Sequence, residues 1–186
     1  MCIRDRTNVA ELAQFYHASA QKSKSSADYQ EAIHWYRDYL DSFPTDPQAA
    51  HNNFLLAELL FENDQFDQAS KEYEKTAYGY DTFAQSADAG YAALLSYANQ
   101  QKKASPSELP ALQHTTVDSE LRFAKTFDND PRAMPVLADA ADKLYALKDP
   151  VQAASVAQTI LDHQPQAADE QRRVAWTVLA LSLIHI

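Results

Sequence analysis

Six histidines and 26 carboxylates are the side chains of this 186-residue sequence most able to do chemistry. His17, His34 and His51 are evenly spaced, yet no two histidines stand three or four apart, the spacing at which one helix offers two metal ligands. No metal site is expected. Carboxylates gather at Glu58, Glu62, Asp64 and Asp67, and again at Asp128, Asp130, Asp139 and Asp142. General acid–base work requires such groups in a closed, partly dry pocket that splits their pKa values. The sequence promises no such pocket, so these clusters read as solvated faces and helix caps. Ser19, Ser96 and Ser155 have neither a glycine elbow nor a base at recognisable spacing. The expectation is a chain that is not an enzyme and carries no cofactor.

Composition narrows the remaining classes. Gly79 and Gly90 are the only glycines. Phosphate-cradling loops and dinucleotide turns need several, because the backbone must reach positive φ and approach the ligand closely. With abundant Ala, Leu, Gln, Glu and Lys, the chain should be almost wholly helical. Its formal charge of −10, from 16 basic and 26 acidic residues, repels nucleic-acid phosphates and anionic lipid headgroups alike. Cys2 is the single cysteine, so no internal disulfide is possible, and a reducing or an oxidising compartment remains open. The apolar run from Val174 to Ile186 is too short for a hydrocarbon core that takes about 20 helical residues to cross. It reads as a core helix, and direct membrane insertion is not expected.

What positions any site is a passage that returns to itself. Tyr29, Ala32 and Tyr36 align with Phe66, Ala69 and Tyr73 at an offset of 37. A second offset, of 84, carries Ala57, Glu58, Leu60, Phe61 and Ala69 onto Ala141, Asp142, Leu144, Tyr145 and Ala153. It also carries Phe43, Asp46 and Pro47 onto Phe127, Asp130 and Pro131. Helical apolar spacing that recurs every few dozen residues is the mark of stacked helix pairs, each burying its apolar face against a neighbour. The fold expected is all-α, an antiparallel helix-pair solenoid of about four pairs plus a trailing helix.

The helical periodicity predicts helices over about 8–22, 28–42, 47–62, 66–78 and 82–101. Asp28 stands where an N-cap belongs and Pro47 where a first helical turn tolerates proline. Two helix-pair repeats of about 34 residues each would put equivalent positions about 68 apart, short of the observed offset. The stretch KKASPSELPALQ, at 102–113, is read as a loop absorbing the excess. Helices then resume over about 117–127, 131–147, 150–163 and 167–181. The ends MCIRDR and LSLIHI fit neither the repeat nor a targeting signal and look like translated adapter remnants. Residues 1–6 and 181–186 are therefore set aside as foreign, and the natural chain is expected to continue beyond both.

These residues resemble the tetratricopeptide repeat. Tyr29, Ala32, Tyr36, Leu40 and Pro44 match that family's second-helix pattern, and Phe66, Ala69, Tyr73 and Ala77 repeat it after Ala57 and Leu60. Ala141, Leu144, Ala153, Leu161 and Pro165 give a degenerate third match, with Pro150 and Ala157 in place of aromatics. The resemblance implies a right-handed superhelix with units at 7–44, 47–80, 82–127 (irregular), 131–165 and 167–181 (partial). It also implies a concave face formed by the first helix of each unit. The matching positions are His17, Gln21, Phe54, Glu58, Phe61, Tyr91, Leu94, Asp142 and Tyr145, an aromatic and acidic groove for a protein or peptide with apolar anchors and basic flanks. Phrases such as FPTDPQAA and LLAELLFENDQFDQA are similar to repeats of bacterial cell-envelope proteins, which implies a periplasmic or outer-membrane-associated setting. The alternatives are a spacer segment of a longer envelope protein and a helical domain attached to an enzyme whose active site lies elsewhere.

Overall fold

Apolar residues at three- and four-residue spacing make each segment an amphipathic helix that is stable only against its neighbours, and the computed structural model shows that arrangement. It describes the backbone of residues 3–185 and the side chains of residues 7–184; Met1, Cys2 and Ile186 lie outside. Among the described residues there are nine helices: α1 (Ile3–Ser23), α2 (Ser26–Ser42), α3 (Ala49–Glu62), α4 (Phe66–Tyr78), α5 (Ser86–Lys103), α6 (Leu109–Thr126), α7 (Ala133–Ala146), α8 (Pro150–Asp162) and α9 (Asp169–His185). The chain divides into two compact units, Met1–Gln100 and Gln101–Ile186. Within the first, α1 packs on α2, α2 on α3 and α3 on α4. Within the second, α6 packs on α7, α7 on α8 and α8 on α9, and α7 also meets α9. Each unit is thus built of consecutively packed helices in an all-α fold, an arrangement consistent with a helical repeat.

The repeat aligned in sequence is carried into the core. Tyr29, Ala32 and Tyr36 of α2 and Phe66, Ala69 and Tyr73 of α4 are all buried. The longer of the two sequence offsets carries the bounds of α3 and α4 onto those of α7 and α8 at all four ends. The turn after α3 and the turn after α7 are wired alike. Gln65 N–H donates to Leu60 O (2.9 Å) and Asp64 N–H to Phe61 O (3.1 Å); Asp149 N–H donates to Leu144 O (3.0 Å) and Lys148 N–H to Tyr145 O (3.1 Å). Each is a Schellman closure, and it forces Asp64 and Lys148 to φ values of 59° and 68°.

The entry to α3 repeats in the same way at α7. Ala49 N–H donates to Asp46 O (2.8 Å) and Ala133 N–H to Asp130 O (2.9 Å). Asp46 Oδ1 accepts from Gln48 N–H (2.7 Å) and Asp130 Oδ1 from Arg132 N–H (2.8 Å). The Tyr39–Phe43 and Phe123–Phe127 ring pairs lie at 5.5 and 5.4 Å. One substitution is compensated across this repeat. Tyr39 donates its hydroxyl to Asp46 (2.9 Å), whereas Phe123 has none to give. Asp130 instead receives two bonds from the Arg132 guanidinium (2.8 and 2.7 Å), which lies 5.9 Å from the centre of the Phe123 ring. These bonds hold the Asp130 carboxyl below the usual carboxylate range, despite some desolvation.

Three local expectations are corrected. Asp28 does not cap α2: the cap position is Ser25, and Asp28 accepts from the Ser23 hydroxyl (2.6 Å). Pro47 lies in the turn before α3, because Asp46 turns the chain there and the helix starts only at Ala49. The loop expected over 102–113 shrinks to 104–108, for α5 continues to Lys103 and α6 begins at Leu109. The excess length goes into α5 and α6 themselves, each a helix of 18 residues. Pro110 sits in the first turn of α6, where its missing N–H costs nothing. Glu108 folds back onto Ser105, accepting from its hydroxyl (2.6 Å) and its N–H (3.0 Å), as in a capping box.

Candidate functional site

Helices α1 and α3 carry most of the residues singled out in the first unit. Gln21 donates from Nε2 to Glu62 Oε1 (3.1 Å), and Tyr29 of α2 donates its hydroxyl to Glu62 Oε2 (2.8 Å). Lys24 adds its ammonium at 3.8 Å from the same carboxylate. One turn back along α1, His17 Nδ1 meets the Tyr36 hydroxyl at 3.2 Å. Burial holds the His17 imidazole below its ordinary pKa, with Glu62 opposing, so the ring is neutral near pH 7.

On α3, Phe54, Glu58 and Phe61 occupy one stripe by their i, i+4, i+7 spacing, and Tyr73 of α4 organises all three. Glu58 accepts the Tyr73 hydroxyl. Phe54 and Phe61 stand edge-on to the Tyr73 ring at centroid distances of 5.9 and 6.4 Å. Phe61 also meets Phe66 at 5.1 Å. Both phenylalanines remain half-buried: each is anchored on one side and open on the other.

Phenols donating to carboxylates recur through this unit. Tyr97 of α5 donates to Glu74 (3.2 Å), joining the Tyr29–Glu62 and Tyr73–Glu58 pairs. Burial and the neighbouring carboxylate raise each of these phenols, Tyr97 to about 12. They stay protonated and act as fixed donors. The arrangement places hydrogen-bonded carboxylates beside apolar ring edges.

Of the other positions, Tyr91 is half-buried. Leu94 is only 7% exposed and belongs to the core of its unit, so it lines no surface. It follows Ala93 and lies one turn from Gly90, both buried, and close packing at these small residues draws the leucine inward.

The second unit does not repeat the cluster. The positions equivalent to Phe54, Glu58, Phe61 and Tyr73 hold Ala138, Asp142, Tyr145 and Ala157. Asp142 is exposed, and Tyr145 is half-buried against the unit's aliphatic core. A half-open pocket of about 350 Å³ lies at the turn between α7 and α8, lined by Tyr145, Ala146, Lys148 and Pro150.

The same equivalence exposes a feature that the sequence reading passed over. Glu120 replaces the buried Tyr36, and Lys143 replaces the buried Leu59. Glu120, 3% exposed, accepts from the Lys143 ammonium through Oε1, while its Oε2 is buried with no hydrogen-bond partner. Lys143 also reaches Asp139 at 2.7 Å. Desolvation pushes the Glu120 carboxyl up to about 7 against the pull of Lys143. Burial opposes the Lys143 ammonium too, but it is less deeply placed, and its bonds to Asp139 and Glu120 hold its pKa above the ordinary lysine value.

Among the described residues no cluster of three or more His, Cys, Asp or Glu side chains has metal-binding geometry. Nor is any described helix long and apolar enough to cross a membrane. Comparison of the chain with protein-family models and with curated proteins finds no match in either.

Proposed function

We propose that this chain is a non-enzymatic protein-interaction module of tetratricopeptide type. Its partner surface in the first unit is formed by His17, Gln21, Phe54, Glu58 and Phe61, and it takes a peptide or protein segment with apolar anchors and Lys or Arg flanks. One observation carries the reading: Phe54 and Phe61 flank Glu58 on a single stripe, and all three are fixed by Tyr73. Ring edges whose far side is already packed lose little side-chain entropy when a partner covers the near side. The carboxylate between them, in a chain of net charge −10, favours a basic partner. The resemblance to envelope repeats supports a setting in the periplasm or at the outer membrane.

The experiment is capture of basic, apolar-anchored peptides from an array by the intact chain and by Glu58→Lys and Phe61→Ala variants, with helix content checked by circular dichroism. Loss of capture with helicity retained supports the reading. Equal capture by all three proteins overturns it. A second reading, a spacer within a longer envelope protein, draws on the inner half of the same contacts, since Phe61 also packs on Phe66. It expects that equal result.

A further inference from the structure

The turn between α7 and α8 differs from its equivalent between α3 and α4 at all six positions, and four of the changed side chains act together. In the first unit the sites are Phe61, Glu62, Asp64 and Phe66; in the second they are Tyr145, Ala146, Lys148 and Pro150. The backbone wiring is the same in both. Phe66 fills the first turn with its own ring, buried and edge-on to Phe61 at 5.1 Å. With Pro150 there instead, and Ala146 in place of Glu62, the turn of the second unit carries the 350 Å³ pocket, lined by Tyr145, Ala146, Lys148 and Pro150. That volume lies within the range of small-ligand sites.

The charge at the turn has shifted as well, from two carboxylates, at 62 and 64, to one ammonium, that of Lys148, beside one carboxylate, that of Asp149. The left-handed backbone at Lys148 fixes where that side chain leaves the turn. The adjacent Asp149 carboxylate is engaged in accepting the Gln152 N–H at 3.0 Å, capping α8.

We propose that this pocket binds the C-terminal residue of a partner polypeptide when that residue is aromatic, its ring taking the place that Phe66 fills in the first unit and its α-carboxylate meeting the Lys148 ammonium. A single chain-terminal aromatic residue is the smallest peptide element that supplies both a ring and an anion within reach of one lysine. The ring stacks between Tyr145 and Pro150, and the carboxylate supplies a charge complementary to the Lys148 ammonium. The site lies wholly in the second unit and does not rest on the peptide surface assigned to the first.

The test is titration of the intact, isotope-labelled chain with the tripeptide Ala-Ala-Phe, followed by amide NMR shifts and by affinity. Its C-terminal amide and acetyl-Ala-Phe-Asp-amide serve as comparison ligands. Saturable shifts centred on residues 145–150 are expected, with affinity falling about tenfold or more for the amide, the scale of one lost charge-assisted contact. Pro150→Phe, which restores the first unit's plug, should abolish binding. Lys148→Glu should weaken it by a similar factor, and Ala146→Glu provides a second blocking variant should Pro150→Phe fail to fold. Shifts centred elsewhere, equal binding of acid and amide, tighter binding of the internal Asp peptide, or no saturable shift would each overturn the proposal.

Discussion

Replacing Glu120 by Gln should abolish a pH dependence that the second unit carries in its core. The carboxyl has a pKa of about 7 in the folded chain against an ordinary 4.5. At about 1.4 kcal/mol per unit, the gap corresponds to about 3 kcal/mol. Between these two values the unfolded chain has released the proton while the folded chain still holds it. Stability therefore falls as pH rises through the window and levels off above it. Glutamine keeps the shape and the acceptor for Lys143 without the charge, and Lys143 retains Asp139 at 2.7 Å. Urea unfolding of both proteins, followed by circular dichroism at about pH 5 and about pH 8, isolates the effect, because every other titrating group is common to the pair. Between the two pH values Glu120→Gln should gain about 2.5 kcal/mol on the wild type, since about pH 5 already lies just inside the window. Parallel stability profiles would refute the reasoning and would show that Lys143 fully compensates the buried carboxylate.

Two further outcomes follow from comparing one unit with the other. Gln65 precedes α4 without a side-chain cap, whereas Asp149 in the equivalent place accepts from Gln152 N–H, so Gln65→Asp should raise the free energy of chemical unfolding by about 1 kcal/mol. Tyr36 is fully buried and its hydroxyl meets His17; Tyr36→Ala should destabilise the chain by about 3 to 5 kcal/mol, and Tyr36→Phe by only about 1, in equilibrium unfolding.

Most of the helical order was legible because apolar spacing and burial are two views of the same requirement. Tyr29, Ala32 and Tyr36 announce a buried face whichever neighbour covers it, and the Phe43, Asp46, Pro47 pattern announces a turn whose bonds are local. The extent of α6 was obscured by Pro106 and Pro110, which read as breakers. The Ser105 to Glu108 spacing, a capping-box signature, was the signal for the helix start. Leu94 was misplaced because the family register was carried through an irregular stretch, where an error of one residue turns a helical position by about 100°. The Glu120–Lys143 pair was readable by carrying Tyr36 and Leu59 along the longer offset. Polar residues at core positions stand out only once the equivalent apolar ones are known.

The matched turns after α3 and α7 bear on how such a chain can change its length. A genetic exchange joining residue 62 directly to residue 147 would remove everything between them, one full offset of the repeat. Both sides of the splice already make the same hydrogen bonds at the same spacing. Unequal crossing-over at this place yields an in-frame product with an intact bend, so whole four-helix blocks can be gained or lost while each remaining copy is free to specialise.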